Sequence, residues 1–135
     1  KADASTQLQA ARVLSNLALN QQNSDAIRVA GGVQAFVSLL SGPPDNDIVR
    51  VAAVALSQLS FESPANKTAI HESDGIPALV RLLGSDRPDT VKWAACALAE
   101  LAFNSNANAA AIRSAGGVRQ MVGLLKGGAH LDVAV

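Results

Sequence analysis

The chain has 135 residues, enough for one domain with a sizeable core, and 49% of them are hydrophobic although only 3% are aromatic. Because 11 Lys and Arg balance 11 Asp and Glu, net charge gives no attraction to nucleic acid or to an anionic membrane. The one cysteine excludes an internal disulfide and is compatible with a reducing compartment. No apolar run is long enough to cross a bilayer. We expect a cytoplasmic or nuclear protein with no nucleic-acid or membrane partner.

The first part of the chain predicts a long helix and then a short one. Apolar residues recur at helical spacing over 5–19, and the polar run at 20–23 is expected to end this helix. A short helix over 24–29 follows. Gly31 and Gly32 are expected to end it, because glycine tolerates the positive φ of a C-terminal cap.

A middle helix over 33–40 comes next, and the segment 41–44 (Ser-Gly-Pro-Pro) breaks it. A second long helix is then predicted to end near Phe61. Asp45 or Asp47 is expected to cap its start, because a carboxylate accepts hydrogen bonds from the free N–H groups of a first turn.

The same plan is predicted twice more. The second copy has a short helix at 66–73, the corner Asp74-Gly75, a middle helix opened by Ile76-Pro77, and a long helix from Pro88 to about Phe103. The third copy has a short helix at 108–114, the corner Gly116-Gly117 and a middle helix at 118–125, and residues 131–135 are predicted to begin another long helix.

Three landmarks measure the repeat. A leucine, a glycine and an isoleucine each recur every 42 or 43 residues, at Leu17, Leu59 and Leu101, at Gly32, Gly75 and Gly117, and at Ile27, Ile70 and Ile112. The one-residue difference is predicted to lie between the leucine and isoleucine landmarks. A period of about 42 residues is typical of helical solenoids.

Three segments show the residues of one unit in order: NKTAI at 66–70, GIPALVRLL at 75–83 and AACALAELA at 94–102. With three helices per unit at this period, they resemble the armadillo repeat, and the resemblance covers nearly the whole chain. It implies an all-α, right-handed solenoid of three-helix repeats whose third helices line a concave groove. The expected units are the third helix of a partial repeat at 1–22, full repeats at 23–65 and 66–107, and a partial repeat at 108–135. HEAT repeats, with two helices per unit, are the near alternative, which the glycine corner disfavours.

The resemblance also implies groove positions on the third helices. Where peptide-binding members carry an asparagine that bonds the backbone of the guest peptide, this chain has Asn16, Gln58 and Glu100. Where they carry a tryptophan, four residues earlier, it has Arg12, Val54 and Cys96, and the missing aromatic ladder disfavours a receptor for nuclear localisation signals. The same face carries Gln9, Val51 and Trp93, with Arg50 and Lys92 directly before the last two.

These positions predict the chemistry of a guest. The Gln58 amide offers a donor and an acceptor that suit a peptide bond, whereas ionised Glu100 only accepts and favours a basic guest. Trp93 is either a groove anchor or a packing residue against the neighbouring third helix, and Arg50 and Lys92 are either recognition residues or a solvated face.

No catalytic, metal or cofactor site is predicted. His71 and His130 lie far apart in the repeat plan, and Cys96 has no histidine to activate it. We therefore expect a non-catalytic scaffold that binds a protein or an extended peptide. One alternative is an array that associates head to tail through apolar end helices, with Leu8, Leu14 and Leu17 at one end and Val118, Val122 and Leu125 at the other. Another is the substrate-binding region of a larger U-box-type ubiquitin ligase.

Overall fold

The computed structural model describes residues 2–127, and within them every regular element is an α-helix. The all-α prediction is confirmed. The helices are α1 (Ala4–Leu17), α2 (Gln21–Val29), α3 (Gly32–Leu39), α4 (Asp47–Ser60), α5 (Pro64–Glu72), α6 (Gly75–Leu82), α7 (Pro88–Ala102), α8 (Asn106–Ser114) and α9 (Gly117–Leu125). The predicted helix at 131–135 and His130 lie outside the described residues. No helix in residues 2–127 is long and apolar enough to span a membrane.

The helices stack as a solenoid of short, middle and long helices. The long helices α1, α4 and α7 pack side by side, with α4 between the other two. The middle helices α3 and α6 each pack on the long helix that follows and on the short helix of the next repeat. The prediction of an α-solenoid built from three-helix units is therefore confirmed.

Stacking on both sides buries α4 more deeply than the other long helices. Nine of its 14 residues are buried, against two of 14 on α1. Three of the buried residues are alanines without any exposed surface, Ala52, Ala53 and Ala55, and such small side chains let neighbouring helices approach closely. The leucine landmarks show the same difference in burial between the two helices, since Leu59 on α4 is fully buried and Leu17 on α1 is 43% exposed.

The glycine and isoleucine landmarks share their spacing because they are in contact. At Gly75, an added Cβ would lie 2.9 Å from the carbonyl oxygen of Ile70 and 3.1 Å from a methyl group of Val37. The residue just before each of these glycines takes the positive φ of the corner, 87° at Gly31, 62° at Asp74 and 86° at Gly116. The prediction of a left-handed corner is confirmed at Gly31, and at the second corner Asp74 adopts it instead of Gly75.

Two boundary predictions are wrong. The polar run at 20–23 does not end α1, because the Asn20 side chain accepts a hydrogen bond from the Asn23 N–H at 3.1 Å and caps α2, which begins at Gln21. Neither Asp45 nor Asp47 caps α4, since the capping position is Asn46 and its side chain makes no capping bond. The Asp47 carboxylate instead accepts a hydrogen bond from Arg87 at 2.9 Å.

The later short helices also begin earlier than predicted, at Pro64 and Asn106, each capped by the serine before it. Asn20, the cap of α2, lies three residues after Leu17, whereas the caps Ser63 and Ser105 lie four residues after their leucine landmarks. The one-residue difference in period is therefore located in the connection between long and short helices, as predicted.

Candidate functional site

The exposed face of the long helices forms two neighbouring concavities, which contain most of the predicted groove residues. The larger, which we call the α4–α7 concavity, has a volume of about 480 Å³. Its lining includes Gln58 from α4 and Trp93, Cys96 and Glu100 from α7. These four residues were assigned to one face from the sequence, and the fold brings them together.

A hydrogen bond between two long helices orients the Gln58 amide. The Ser15 hydroxyl, buried on α1, donates to Gln58 Oε1 at 2.9 Å. The side-chain oxygen of Gln58 is thus already bound, and its NH2 group is left to donate into the concavity. This differs from the expectation that Gln58 offers both a donor and an acceptor.

Trp93 combines the two roles considered for it. It is half-buried and packs against the hydrophobic core, and it also lines the α4–α7 concavity. The Lys92 Nζ lies 5.5 Å from the centre of its ring, within the range of a cation–π interaction. Lys92 therefore lies beside the concavity, in contact with Trp93, and is not among its lining residues.

The smaller concavity, which we call the α1–α4 concavity, has a volume of about 270 Å³ and lies one long helix away. Its lining residues are Arg12, Ser15 and Asn16 from α1 and Arg50, Val51 and Val54 from α4. Val51 is buried and forms part of the floor. Gln9 is exposed on α1 and lines neither concavity, so the fold does not bring it together with the other predicted residues.

A third concavity was missed from the sequence. It has a volume of about 760 Å³ and lies at the corners that follow α4 and α7, where Phe61 and Phe103 are 56% and 66% exposed. Phe61 and Glu100 also line the α4–α7 concavity, so the two are continuous. The two phenylalanines are 42 residues apart, and this spacing was the signal that could have identified them as equivalent positions.

Charges at the starts of the long helices link neighbouring repeats and lie outside the lining of the α4–α7 concavity. Arg87 Nη1 is 2.9 Å from Asp47 Oδ1, and its hydrogen bond and positive charge lower the pKa of the Asp47 carboxyl. Arg50 Nε is 3.4 Å from Asp89 Oδ2. Residues 2–127 contain no group of three or more His, Cys, Asp or Glu side chains that could hold a metal ion.

Comparison with known proteins gives one consistent result. The model of the Armadillo/beta-catenin-like repeat family matches residues 20–61 and 63–103. Human armadillo repeat-containing protein 3 is 36% identical over 83 residues, which cover 61% of this chain and 9% of that protein. The chain thus spans a small part of this relative.

Two solved structures extend the comparison to the fold. An engineered protein is 36% identical, with a TM-score of 0.87 over 93% of this chain and 30% of its own. A designed armadillo repeat protein in complex with the peptide (KR)4 is 24% identical, with a TM-score of 0.81 over 87% of this chain and 49% of its own. At 24% identity, the similarity to the designed protein is evidence for the fold alone.

Proposed function

Because the chain belongs to the armadillo/beta-catenin-like repeat family, we propose that it is a non-catalytic scaffold that binds an extended peptide across α1, α4 and α7. The observation that most supports this is the α4–α7 concavity, in which Gln58, Trp93 and Glu100 converge from two neighbouring helices. An amide donor, a rigid aromatic side chain and a carboxylate in one cleft are groups that recognise a peptide and its side chains.

The spacing of the long helices matches that of an extended chain. Asn16, Gln58 and Glu100 lie at equivalent positions of three stacked helices, 42 residues apart in sequence. Packed helices are about 8–10 Å apart, and an extended peptide rises about 3.3 Å per residue. A guest that crosses the helices therefore passes one of these side chains about every third residue. The NH2 group of Gln58 then donates to a peptide carbonyl group.

Trp93 supplies most of the apolar contact in this proposal. Its ring is held in place by the core on one side and is open to the concavity on the other. Large aromatic side chains in such partly desolvated sites typically dominate the energy of an interface. Glu100 adds a negative charge beside it, which supports a basic side chain in the guest. The designed armadillo protein that binds (KR)4 is an example of a similar fold with a basic peptide.

Selection from a random dodecapeptide library displayed on phage tests the proposal. Peptides recovered on the wild-type protein are synthesised with a fluorescent label, and their affinities are measured by anisotropy. We expect the double variant Gln58→Ala/Trp93→Ala to lose at least about tenfold in affinity, because it removes the donor and the aromatic anchor. Thermal unfolding followed by circular dichroism checks that this variant is folded.

The matched control is Gln34→Ala, which changes an exposed glutamine on the middle helix α3. Its affinities should equal those of the wild type. If no peptide is recovered, or if folded Gln58→Ala/Trp93→Ala binds the recovered peptides as tightly as the wild type, the groove assignment is wrong.

Self-association is the competing function. It is favoured by exposed apolar side chains on α9, where Val118, Val122 and Leu125 are 54%, 44% and 86% exposed. Sedimentation equilibrium at increasing protein concentration separates the two functions. A peptide-binding scaffold keeps the mass of one chain at every concentration, whereas the apparent mass of an array increases with concentration. Replacing Val122 and Leu125 by serine should abolish this increase.

A further inference from the structure

We propose that the α1–α4 concavity binds an oxyanion group, a carboxylate or a phosphate, carried by a side chain of the guest. The inference rests on the proposed function, because the same extended peptide would have to occupy both concavities. It adds the charge pattern of the guest, which the α4–α7 concavity alone does not define.

The lining of the α1–α4 concavity is rich in hydrogen-bond donors. Arg12 is exposed, and within residues 2–127 its guanidinium forms no hydrogen bond or ion pair. The same is true of the Asn16 amide. The hydroxyl proton of Ser15 is already donated to Gln58, so it does not compete for the anion. Two arginines and one amide therefore remain as donors.

Arg50 is only partly neutralised by its ion pair. Its Nε is 3.4 Å from Asp89 Oδ2, which is long for a hydrogen bond between charged groups. Asp89 also lies 3.7 Å from Arg87, so its charge is shared between two guanidinium groups. It does not line the concavity. Asp47 also lies close enough to Arg50 for their charges to interact, although it is hydrogen-bonded to Arg87. Arg12 is therefore the lining arginine that forms no ion pair within residues 2–127.

The size and shape of the concavity suit a small oxyanion. Its volume of about 270 Å³ has room for a carboxylate or phosphate group. A guanidinium group presents its donors as a planar fork that matches the oxygens of these groups. The valine floor, formed by buried Val51 and half-buried Val54, excludes water from one side and strengthens the attraction.

The groove consequently carries opposite charges at its two concavities. Arg12 and Arg50 lie between α1 and α4, whereas Glu100 lies on α7. With helices about 8–10 Å apart and a rise of about 1.5 Å per helical residue, the two sites are roughly 15 Å apart. An extended peptide covers this distance in about four or five residues. A guest with one acidic and one basic residue at this spacing can bind in one direction only.

The first test repeats the dodecapeptide selection on three proteins: wild type, Arg12→Gln, and Arg12→Gln/Arg50→Gln. On wild type we expect enrichment of Asp or Glu at one position, always on the same side of an enriched Lys or Arg and three to five residues from it. Arg12→Gln should abolish the acidic enrichment, and since Arg12 has no partner among the described residues its loss should leave the fold intact. Peptides that show no acidic preference on wild type, or the same one on folded Arg12→Gln, overturn the inference.

The second test distinguishes a carboxylate from a phosphate. One enriched peptide is synthesised with its acidic residue, with the matching amide, and with phosphoserine at that position. On wild type, we expect the amide peptide to bind about tenfold more weakly than the acidic peptide. On Arg12→Gln, the two peptides should bind with equal affinity. If phosphoserine restores or exceeds the affinity of the acid, the site takes phosphate as well, and if it does not, the site is one for carboxylates. Equal binding of all three peptides to wild type overturns the inference.

Failure of this inference and failure of the proposed function give different results. If only the anion site is wrong, recovered peptides still lose affinity to Gln58→Ala/Trp93→Ala and are unaffected by Arg12→Gln. If the groove itself is wrong, neither set of variants changes the binding of any recovered peptide.

Discussion

The corners between helices and the exposed face of the long helices differ in how they repeat. At the corners, successive repeats place the same residues at equivalent positions, such as Ile70 with Gly75 and Ile112 with Gly117. On the exposed face, equivalent positions carry an asparagine, a glutamine and a glutamate at Asn16, Gln58 and Glu100. The repeated residues contact the backbone of their own repeat, and the varied residues line open concavities.

This difference separates two tasks within one chain. A residue that contacts the backbone of its own repeat meets the same surroundings in every copy, so the same side chain suits each of them. In the proposed function, a residue on the groove faces a guest whose successive side chains differ. Internal repetition therefore indicates stability, and divergence between copies indicates recognition. Four predictions test this distinction, from the largest expected effect to the smallest.

The largest effect is expected at Asn66, a buried asparagine in the first turn of α5. Asn66 Nδ2 donates to Leu59 O at 2.7 Å and to Ser24 Oγ at 2.8 Å, and its Oδ1 accepts from Arg28 at 2.9 Å. Asn66→Ala should reduce the free energy of unfolding by about 3 kcal/mol, because it leaves the buried Leu59 carbonyl group and the buried Ser24 hydroxyl without a partner and removes one of the two bonds of Arg28. Urea denaturation followed by circular dichroism measures the change.

Asn108→Ala is the matched control, because the same position in the next repeat has fewer side-chain bonds. Asn108 Nδ2 donates to Leu101 O at 2.8 Å, and the positions of Ser24 and Arg28 are taken there by Lys67 and His71. We expect a loss of about 1 kcal/mol. Equal losses at the two sites would show that the bonds to the preceding repeat contribute nothing.

The second prediction concerns the glycine corner. Gly75→Ala should cost about 2 kcal/mol, since its Cβ would lie 2.9 Å from the Ile70 carbonyl oxygen and the helices must move apart to admit it. Gly84→Ala is the control, because its Cβ would meet nothing nearer than 3.7 Å and the change should be neutral or stabilise by about 0.5 kcal/mol. A Gly75→Ala protein as stable as wild type would contradict the contact between the two landmarks.

The features that could be predicted from the sequence are those set by neighbouring residues. Helical periodicity, the 42-residue spacing and the Ile70–Gly75 corner depend on contacts within one or two helices. The assignment of Gln58 and Trp93 to one face of the long helices followed from the resemblance to armadillo repeats. Their convergence in a single concavity is what stacking of equivalent helices produces.

The features that could not be predicted depend on distant residues. Asp47 does not cap α4, and its carboxylate binds Arg87 on the next repeat, 40 positions away. The Gln58 oxygen is occupied by Ser15, 43 positions away. The concavity beside Phe103 depends on the corner that follows it, where Asn104 takes a positive φ of 56° that its residue type permits without requiring it. No local pattern contains these contacts.

The third prediction concerns the exposed face. Asn16→Ala should leave the free energy of unfolding within about 0.5 kcal/mol of wild type, because the side chain is exposed. Gln58→Ala should cost about 1 kcal/mol, because the Ser15 hydroxyl loses its acceptor. Urea denaturation of both variants measures this. If Asn16→Ala reduced the free energy of unfolding as much as Asn66→Ala, the exposed face and the buried contacts between helices would not differ as proposed.

The smallest effect is expected at an ion pair between repeats that is accessible to solvent, Arg87 with Asp47. Arg87 immediately precedes α7 and bonds Asp47, whereas the residue 42 positions earlier is Asp45, an acid that cannot form the same pair. Because the hydrogen bond and charge of Arg87 lower the pKa of Asp47 below 3.8, the pair stabilises the fold above that pH. This stabilisation is lost as the pH falls below 3.8 and through the lower pKa that Asp47 has in the folded state. The contribution should be small, since Asp47 is exposed, Arg87 is partly exposed, and salt screens their charges.

Thermal unfolding of wild type and Asp47→Asn from pH 2 to pH 6 at low salt measures this contribution. Wild type should have the higher Tm above about pH 4, and the difference should shrink as Asp47 is protonated. In an Arg87→Gln background the same substitution should change Tm less, because the carboxylate keeps only its attraction to Arg50 and to the start of α4. A difference that grows toward low pH would contradict the pair. A difference as large as that of Asn66→Ala would show that contacts outside the repeated corners also stabilise the solenoid strongly.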